Sequence, residues 1–158
     1  MTKVRYPFIA LALAGCSPPA SETEQPEAAV PGIPADVAAM VVAAVPDINI
    51  TSGELSAGND QYEVTGTLSN GDELEFDMVQ LNGVWTLLEI QRDVVWSSVP
   101  EPVLAEAAGL PDPFEPVRVI ESTQAEDGSI VYELFRVATS RGPDVEVRWH
   151  EGSAEVIP

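Results

Sequence analysis

Carboxylates are the chemistry this chain has in excess. In "DELEFDMVQL", Glu73, Glu75 and Asp77 stand at i, i+2 and i+4, so an extended strand lines all three along one face. Asp72 adds a fourth charge beside them. Such a stripe offers the hard oxygen ligands that calcium takes. Calcium sites usually draw on a curved loop, however, and no Asp-x-Asp-x-Asp-Gly loop is present. The expectation is a solvated acidic face without a dedicated metal site, with Glu73, Glu75 and Asp77 as the candidates should a cation bind. The single His, His150, follows Trp149 near the C-terminus and reads as an exposed residue at a strand end. No His-x-x-Glu-His helix, Cys cluster, Gly-x-Ser-x-Gly turn or phosphate loop occurs. A catalytic scheme needs a nucleophile, a base and a group to orient it. None is assembled here, so neither an enzyme nor a cofactor is expected.

The N-terminus carries a different kind of chemistry. "MTKVR" is cationic and "YPFIALALAG" is an uncharged, mostly apolar run, too short to span a bilayer, which takes roughly 20 apolar residues. A charged start, a short apolar core and small residues make a secretory signal peptide. The run ends in "LAGC", Leu13 to Cys16, which resembles the bacterial lipoprotein signal at all four positions. That resemblance implies cleavage before Cys16, lipid on its sulfur and new amino group, and a chain anchored in the cell envelope. With Ser17 rather than Asp next, it implies the outer membrane, facing the periplasm. Several acyl chains make a firm anchor.

Residues 1–15 are thus a signal and 16–32 a tether. "SPPASETEQPEAAVPG" is rich in Pro, Glu, Ser and Ala and lacks aromatics, a composition that buries too little apolar surface to order itself. The whole chain has a formal charge of −19; without Lys3 and Arg5 it keeps five Arg against 26 acidic residues, a net of −21. Nucleic acid and anionic headgroups would repel such a chain. With Cys16 the only Cys, one chain forms no internal disulfide, and stability must come from a core.

Behind the tether, "IPADVAAMVVAAVPD" begins at Ile33 and "VPEPVLAEAAGLPD" at Val99. In the first, Val37, Met40, Val41, Ala44 and Val45 form one helical stripe, with Pro34 placed for the first turn. In the second, Ser98 is a candidate cap, Val103, Leu104, Ala107 and Ala108 form the apolar side, and Gly109 ends the helix. Alternating strands follow each helix. "QYEVTGTLS" sets Tyr62, Val64, Gly66 and Leu68 against Glu63, Thr65 and Thr67, and Asn70–Gly71 and Asn82–Gly83 are hairpin signals. "EPVRVIEST", "SIVYELFRVAT" and "DVEVRWH" continue the pattern. Tyr62 and Tyr132 lie 70 residues apart, and Gly83 and Gly152 lie 69 apart. This near-constant offset predicts a duplicated unit. The expected fold is α+β, two tandem modules over 33–98 and 99–158, each with one helix packed on a three- or four-stranded antiparallel meander.

One strand stands out. "SIVYELFRVA" is apolar on both faces, with Val131, Phe135 and Val137 on the side interrupted by Glu133. Such a strand is either central in a covered sheet or part of a binding face. Val131, Phe135 and Val137, with Trp85 of "GVWTLLEI", are therefore the candidate partner-binding residues.

The helix-then-meander unit, with "IPADV" opening it, "YEV" and "YEL" in its second strand and "NGDELEF" in its third, resembles the PepSY-like domain of bacterial envelope proteins. The tandem arrangement is similar to the β-lactamase inhibitor protein fold. The resemblance implies a non-catalytic binding or inhibitory module with an envelope protein as partner, and carries no catalytic residue with it. A structural or assembly lipoprotein of an envelope complex, or an acidic cation-binding protein, are the alternatives.

Overall fold

The computed structural model describes residues 32–157. The expected signal (1–15), Cys16 and all but the last residue of the expected tether (16–32) lie outside the described residues. The chain forms α1 (Ala35–Ala44), β1 (Asn49–Leu55), β2 (Gln61–Thr67), β3 (Glu73–Leu81) and β4 (Val84–Val94). A short 3-10 turn over Trp96–Ser98 leads into α2 (Glu101–Ala108), followed by β5 (Arg118–Gln124), β6 (Ile130–Phe135), β7 (Val145–His150) and β8 (Ser153–Ile157). Among the described residues, no helix is long and apolar enough to cross a membrane.

All eight strands belong to one antiparallel sheet in the order β1 to β8. This corrects the expected pair of tandem helix-plus-sheet modules. The joint is β4 with β5, paired from Glu89↔Gln124 to Val94↔Val119. Its physical reason lies in the backbone. Two separate sheets would leave the free edges of β4 and β5 with unpaired N–H and C=O groups, the exposed edges that sheet proteins avoid. Pairing them removes both edges at once.

Register places both helices over the same face. Val64, Phe76 and Ile90 are in line across β2, β3 and β4, and Val94, Val119, Leu134 and Val145 are in line across β4 to β7. Ile90 and Val94 share a face of one strand. Val37 and Val41 of α1 pack on Val64, Phe76 and Met78 in a first core. Val103 and Ala107 of α2 pack on Val119, Leu134 and Val147 in a second. Between them, on the same face, Arg92 meets Glu121 and Glu121 accepts a hydrogen bond from Tyr132.

The turns follow local chemistry. Asn82 and Gly83 both take left-handed φ, +53° and +81°, and close the β3–β4 hairpin in two residues, where the twist of the strands demands positive φ. Two helix ends differ from expectation. Pro34 and Pro100 occupy the N-cap positions, while Ser98 lies in the 3-10 turn and bonds the Val95 carbonyl at 2.8 Å.

Candidate functional site

The helices cover one face of the sheet; the face opposite them carries the carboxylates. Register builds a row across four strands there. Glu54 of β1 is opposite Glu63 of β2, Glu63 is opposite Asp77 of β3, and Asp77 is opposite Glu89 of β4. Glu75 stands two residues from Asp77 on the same face of β3, opposite Gln91. Like charges directly opposite one another destabilise a sheet by repulsion. Glu54 and Glu63 are exposed to solvent, whereas Asp77 and Glu89 are half-buried.

Donors gather at one end. The Glu89 carboxylate accepts hydrogen bonds from Ser122, from Gln124 Nε2 at 2.7 Å and from Gln91 Nε2 at 2.9 Å. Gln91 Nε2 also lies 3.4 Å from Asp77 Oδ2. Ser122 is fully buried, so its hydroxyl is satisfied by Glu89 and fixes that side chain in return. Asp77 and Glu75 have less support. Burial, then the charges of Glu89 and Glu63, and a hydrogen bond with Glu89 push Asp77 up to about 6. Burial, then Glu63 and Asp77, push Glu75 up to about 7, against a smaller opposing pull from Arg118. Glu133 of β6 is raised to about 7, first by burial and then by Glu89 and Glu146. Arg118 pulls Glu133 the other way, and Asp77 adds a smaller push upward.

Cations are few on this face. Arg118 is held by Asp93, Nε to Oδ1 at 2.7 Å, with its guanidinium 5.4 Å from the centre of the Phe135 ring. Arg148 of β7 stands opposite Glu155 of β8. Two clefts open here, one of about 420 Å³ lined by Glu54, Gln61, Glu63, Asp77, Leu88 and Glu89 among others. The second, of about 310 Å³, is lined by Glu73, Glu75, Gln91, Asp93, Arg118 and Ile120 among others.

The candidates read from sequence distribute unevenly. Trp85 is buried in the first core, edge-to-face with Tyr62 at 5.7 Å, on the helix side and away from the open face. Val131 and Phe135 do lie on the open face, but both are buried, and Arg118 covers Phe135. Val137 is exposed beyond the end of β6, so the three do not form a continuous apolar stripe. Among Glu73, Glu75 and Asp77, Glu73 is exposed at the start of β3. Glu63 takes its place: one carboxylate oxygen each from Glu63, Glu75 and Asp77 lie within 4.8 Å of one another. His150 is exposed at the end of β7, opposite Ser153.

Sequence reasoning missed Glu63 and Glu89 as members of the row. Alternation alone showed Glu63 on the polar side of β2, but only pairing brings it to Asp77. Glu89 was concealed by a β-bulge. The register shifts between Asp77↔Glu89 and Met78↔Leu87, leaving Leu88 as the extra residue. Counting by twos from Trp85 puts Glu89 on the helix side; the bulge turns it to the open face.

Chemically, the row can offer anionic oxygens to cationic groups or present oxygen ligands. No protein-family model, curated protein or solved structure matches this chain.

Proposed function

We propose that this chain is a lipid-anchored envelope protein that acts without catalysis, as a binding or inhibitory module, through the open face of its sheet. The observation that carries this reading is the carboxylate row Glu54–Glu63–Asp77–Glu89, set across four strands on the face that neither helix covers. A sheet face with opposed like charges gives up some stability, because the same positions filled by Thr or Gln would repel less. The partner that fits is a polypeptide segment rich in Lys and Arg, drawn by charge complementarity. The "LAGC" motif at Leu13–Cys16 and the resemblance to PepSY-like envelope modules support the location.

Two experiments test the two halves of the proposal. For binding, a decalysine peptide is titrated against the full chain and against Glu63→Gln/Asp77→Asn. The expected result is binding that weakens at least about tenfold in the variant and falls steeply with salt, as screened charge attraction does. Equal affinity for both proteins overturns the assignment of the site. For anchoring, Cys16→Ala releases the protein from the membrane fraction and removes the lipid mass; a soluble, unlipidated parent overturns it.

A further inference from the structure

We infer that the edge strand β8 is a docking site for an extended basic peptide, which joins the sheet as a further strand beside Ala154 and Val156. A sheet in the order β1 to β8 has two edges, and an edge strand presents a row of unpaired N–H and C=O groups. Which groups those are follows from the turn before β8. Glu151 and Gly152 both take left-handed φ, +47° and +85°, so β7 and β8 are joined by a two-residue hairpin closed by His150 and Ser153. The closing pair of such a hairpin exchanges both hydrogen bonds, and bonded and non-bonded pairs alternate from there. Ser153, Glu155 and Ile157 therefore bond to β7, while Ala154 and Val156 turn their N–H and C=O groups outward. Among the described residues, no backbone hydrogen bond from a turn, loop or helix end reaches either of them.

The two edges differ. β1 breaks register between Ile50 and Ser52, and such a bulge twists an edge away from incoming strands. Gly53 follows the break and weakens β1 further as a template. β8 has no such device. Its residues, Ser-Ala-Glu-Val-Ile, pair with β7 from His150↔Ser153 to Glu146↔Ile157 without a shift. They include no Pro, Gly or Lys. α2 packs against β7 and β8 from one face, which backs the strand, yet Val156 stays exposed.

The occupant follows from the chemistry of the edge. Outward N–H and C=O groups on alternate residues are matched by another extended backbone. A second copy of this chain is opposed by charge. Each chain has a formal charge of −19, and full-length antiparallel pairing of β8 with itself sets two Glu155 carboxylates directly opposite, which destabilises a sheet. A strand with Lys or Arg at that position reverses the sign of the interaction. Arg148 already stands opposite Glu155 from the β7 side. Ala154 packs at the second core, and Val156 is opposite Val147 of that core, so apolar residues at the alternate positions of the peptide lie beside them on the helix face. The site lies four strands from Glu89 and makes no use of the carboxylate row, so it stands without the binding reading above.

The test uses the full chain in detergent micelles and a heptapeptide alternating Val and Lys. Amide exchange is expected to slow at Ala154 and Val156 when the peptide is added, and to stay unchanged at Gly53 and Leu55 of β1. Val156→Pro removes an outward N–H and leaves the bonds to β7 intact, as Pro on an edge strand does. It is expected to weaken the peptide at least about tenfold, near the worth of one hydrogen bond. A peptide with Pro in place of each Val keeps the charge but loses the matching N–H groups, and is expected to bind as weakly. Ser56 N bonds to Gln61 O, so Leu55 points outward on β1, and Leu55→Pro leaves binding unchanged. Equal affinity of the parent and Val156→Pro, equal affinity for the two peptides, or protection of β1 in place of β8 overturns the inference. So does a dimer of the free chain that Val156→Pro dissolves, which assigns the edge to a second copy. Should Val156→Pro fail to fold, amide exchange in the parent decides alone. Decalysine binding lost in Glu63→Gln/Asp77→Asn and kept in Val156→Pro is the result expected of two separate sites. Absent decalysine binding, with Ala154 and Val156 still protected by the Val–Lys peptide, sinks the carboxylate reading and leaves this one standing.

Discussion

Arg92 and Glu121 face each other across the pairing of β4 with β5, Nη2 to Oε1 at 2.6 Å, and the Tyr132 hydroxyl donates to the other Glu121 oxygen at 3.1 Å. The contact lies on the helix face between the two cores, at the joint that makes one sheet out of eight strands. Burial, and then Glu121 itself, hold the Tyr132 phenol well above its ordinary range, so it remains a donor at any physiological pH.

Replacing Arg92 with Ala leaves Glu121, which is largely buried, without its cation. A cost of about 1–3 kcal/mol is expected, the range for leaving a buried acceptor without its partner. Denaturant unfolding measures the loss. Amide exchange should accelerate along Asp93 and Val119–Glu121 before it does so at the outer strands. An Arg92→Ala protein as stable as the parent would show the pair to be ornamental.

A single sheet implies a single unfolding transition. Phe76 in the first core and Leu134 in the second are fully buried, and truncating either to Ala removes buried volume at a cost of about 2–5 kcal/mol. Both substitutions are expected to lower one shared transition followed by circular dichroism and by tryptophan fluorescence. Two independent melts, each sensitive to only one substitution, would contradict cooperative coupling through β4 and β5.

Gly66 has no room for a side chain. A Cβ there would sit 2.5 Å from Ile48 Cγ1 and 3.2 Å from the Asn49 carbonyl oxygen, and Ile48 is itself buried in the first core. Gly66→Ala is expected to destabilise by about 1–3 kcal/mol, as over-packing does, and by less in the Ile48→Ala background, which removes Cγ1 and Cδ1. A neutral Gly66→Ala would mean that β1 yields easily.

Glu133 separates charge from packing. Its carboxyl is raised to about 7 by burial and then by Glu89 and Glu146, so the ionised form burdens the fold above that pH. Glu133→Gln should raise Tm at pH 8 and change it little at pH 5, where the parent carboxyl is already protonated. An equal effect at both values would assign the change to packing alone.

Much of this architecture was legible locally. The stripe of Val37 and Val41 announced α1, the alternation of Tyr62 and Val64 or of Leu74, Phe76 and Met78 announced strands, and Asn82–Gly83 announced a two-residue turn. Each of these signals depends on neighbours within a few residues, which a sequence displays directly. The acidic side of β3 was equally visible.

What the sequence by itself determined, then, was the order of helices and strands, the turn chemistry, the excess of negative charge and the lipoprotein-like "LAGC" at its start. Tertiary structure alone decided three things: that β4 and β5 pair and merge the strands into one sheet, that the bulge at Leu88 turns Glu89 to the open face, and that Glu54, Glu63, Asp77 and Glu89 stand in one row. The reason is common to all three. Cross-strand partnership is set by hydrogen-bond register between segments far apart in the chain, and a shift of one residue moves every later side chain to the other face. The near-constant offset between the two halves suggested copies, but an offset does not say whether copies keep their edges. Unpaired edge groups did, and they were satisfied in each other.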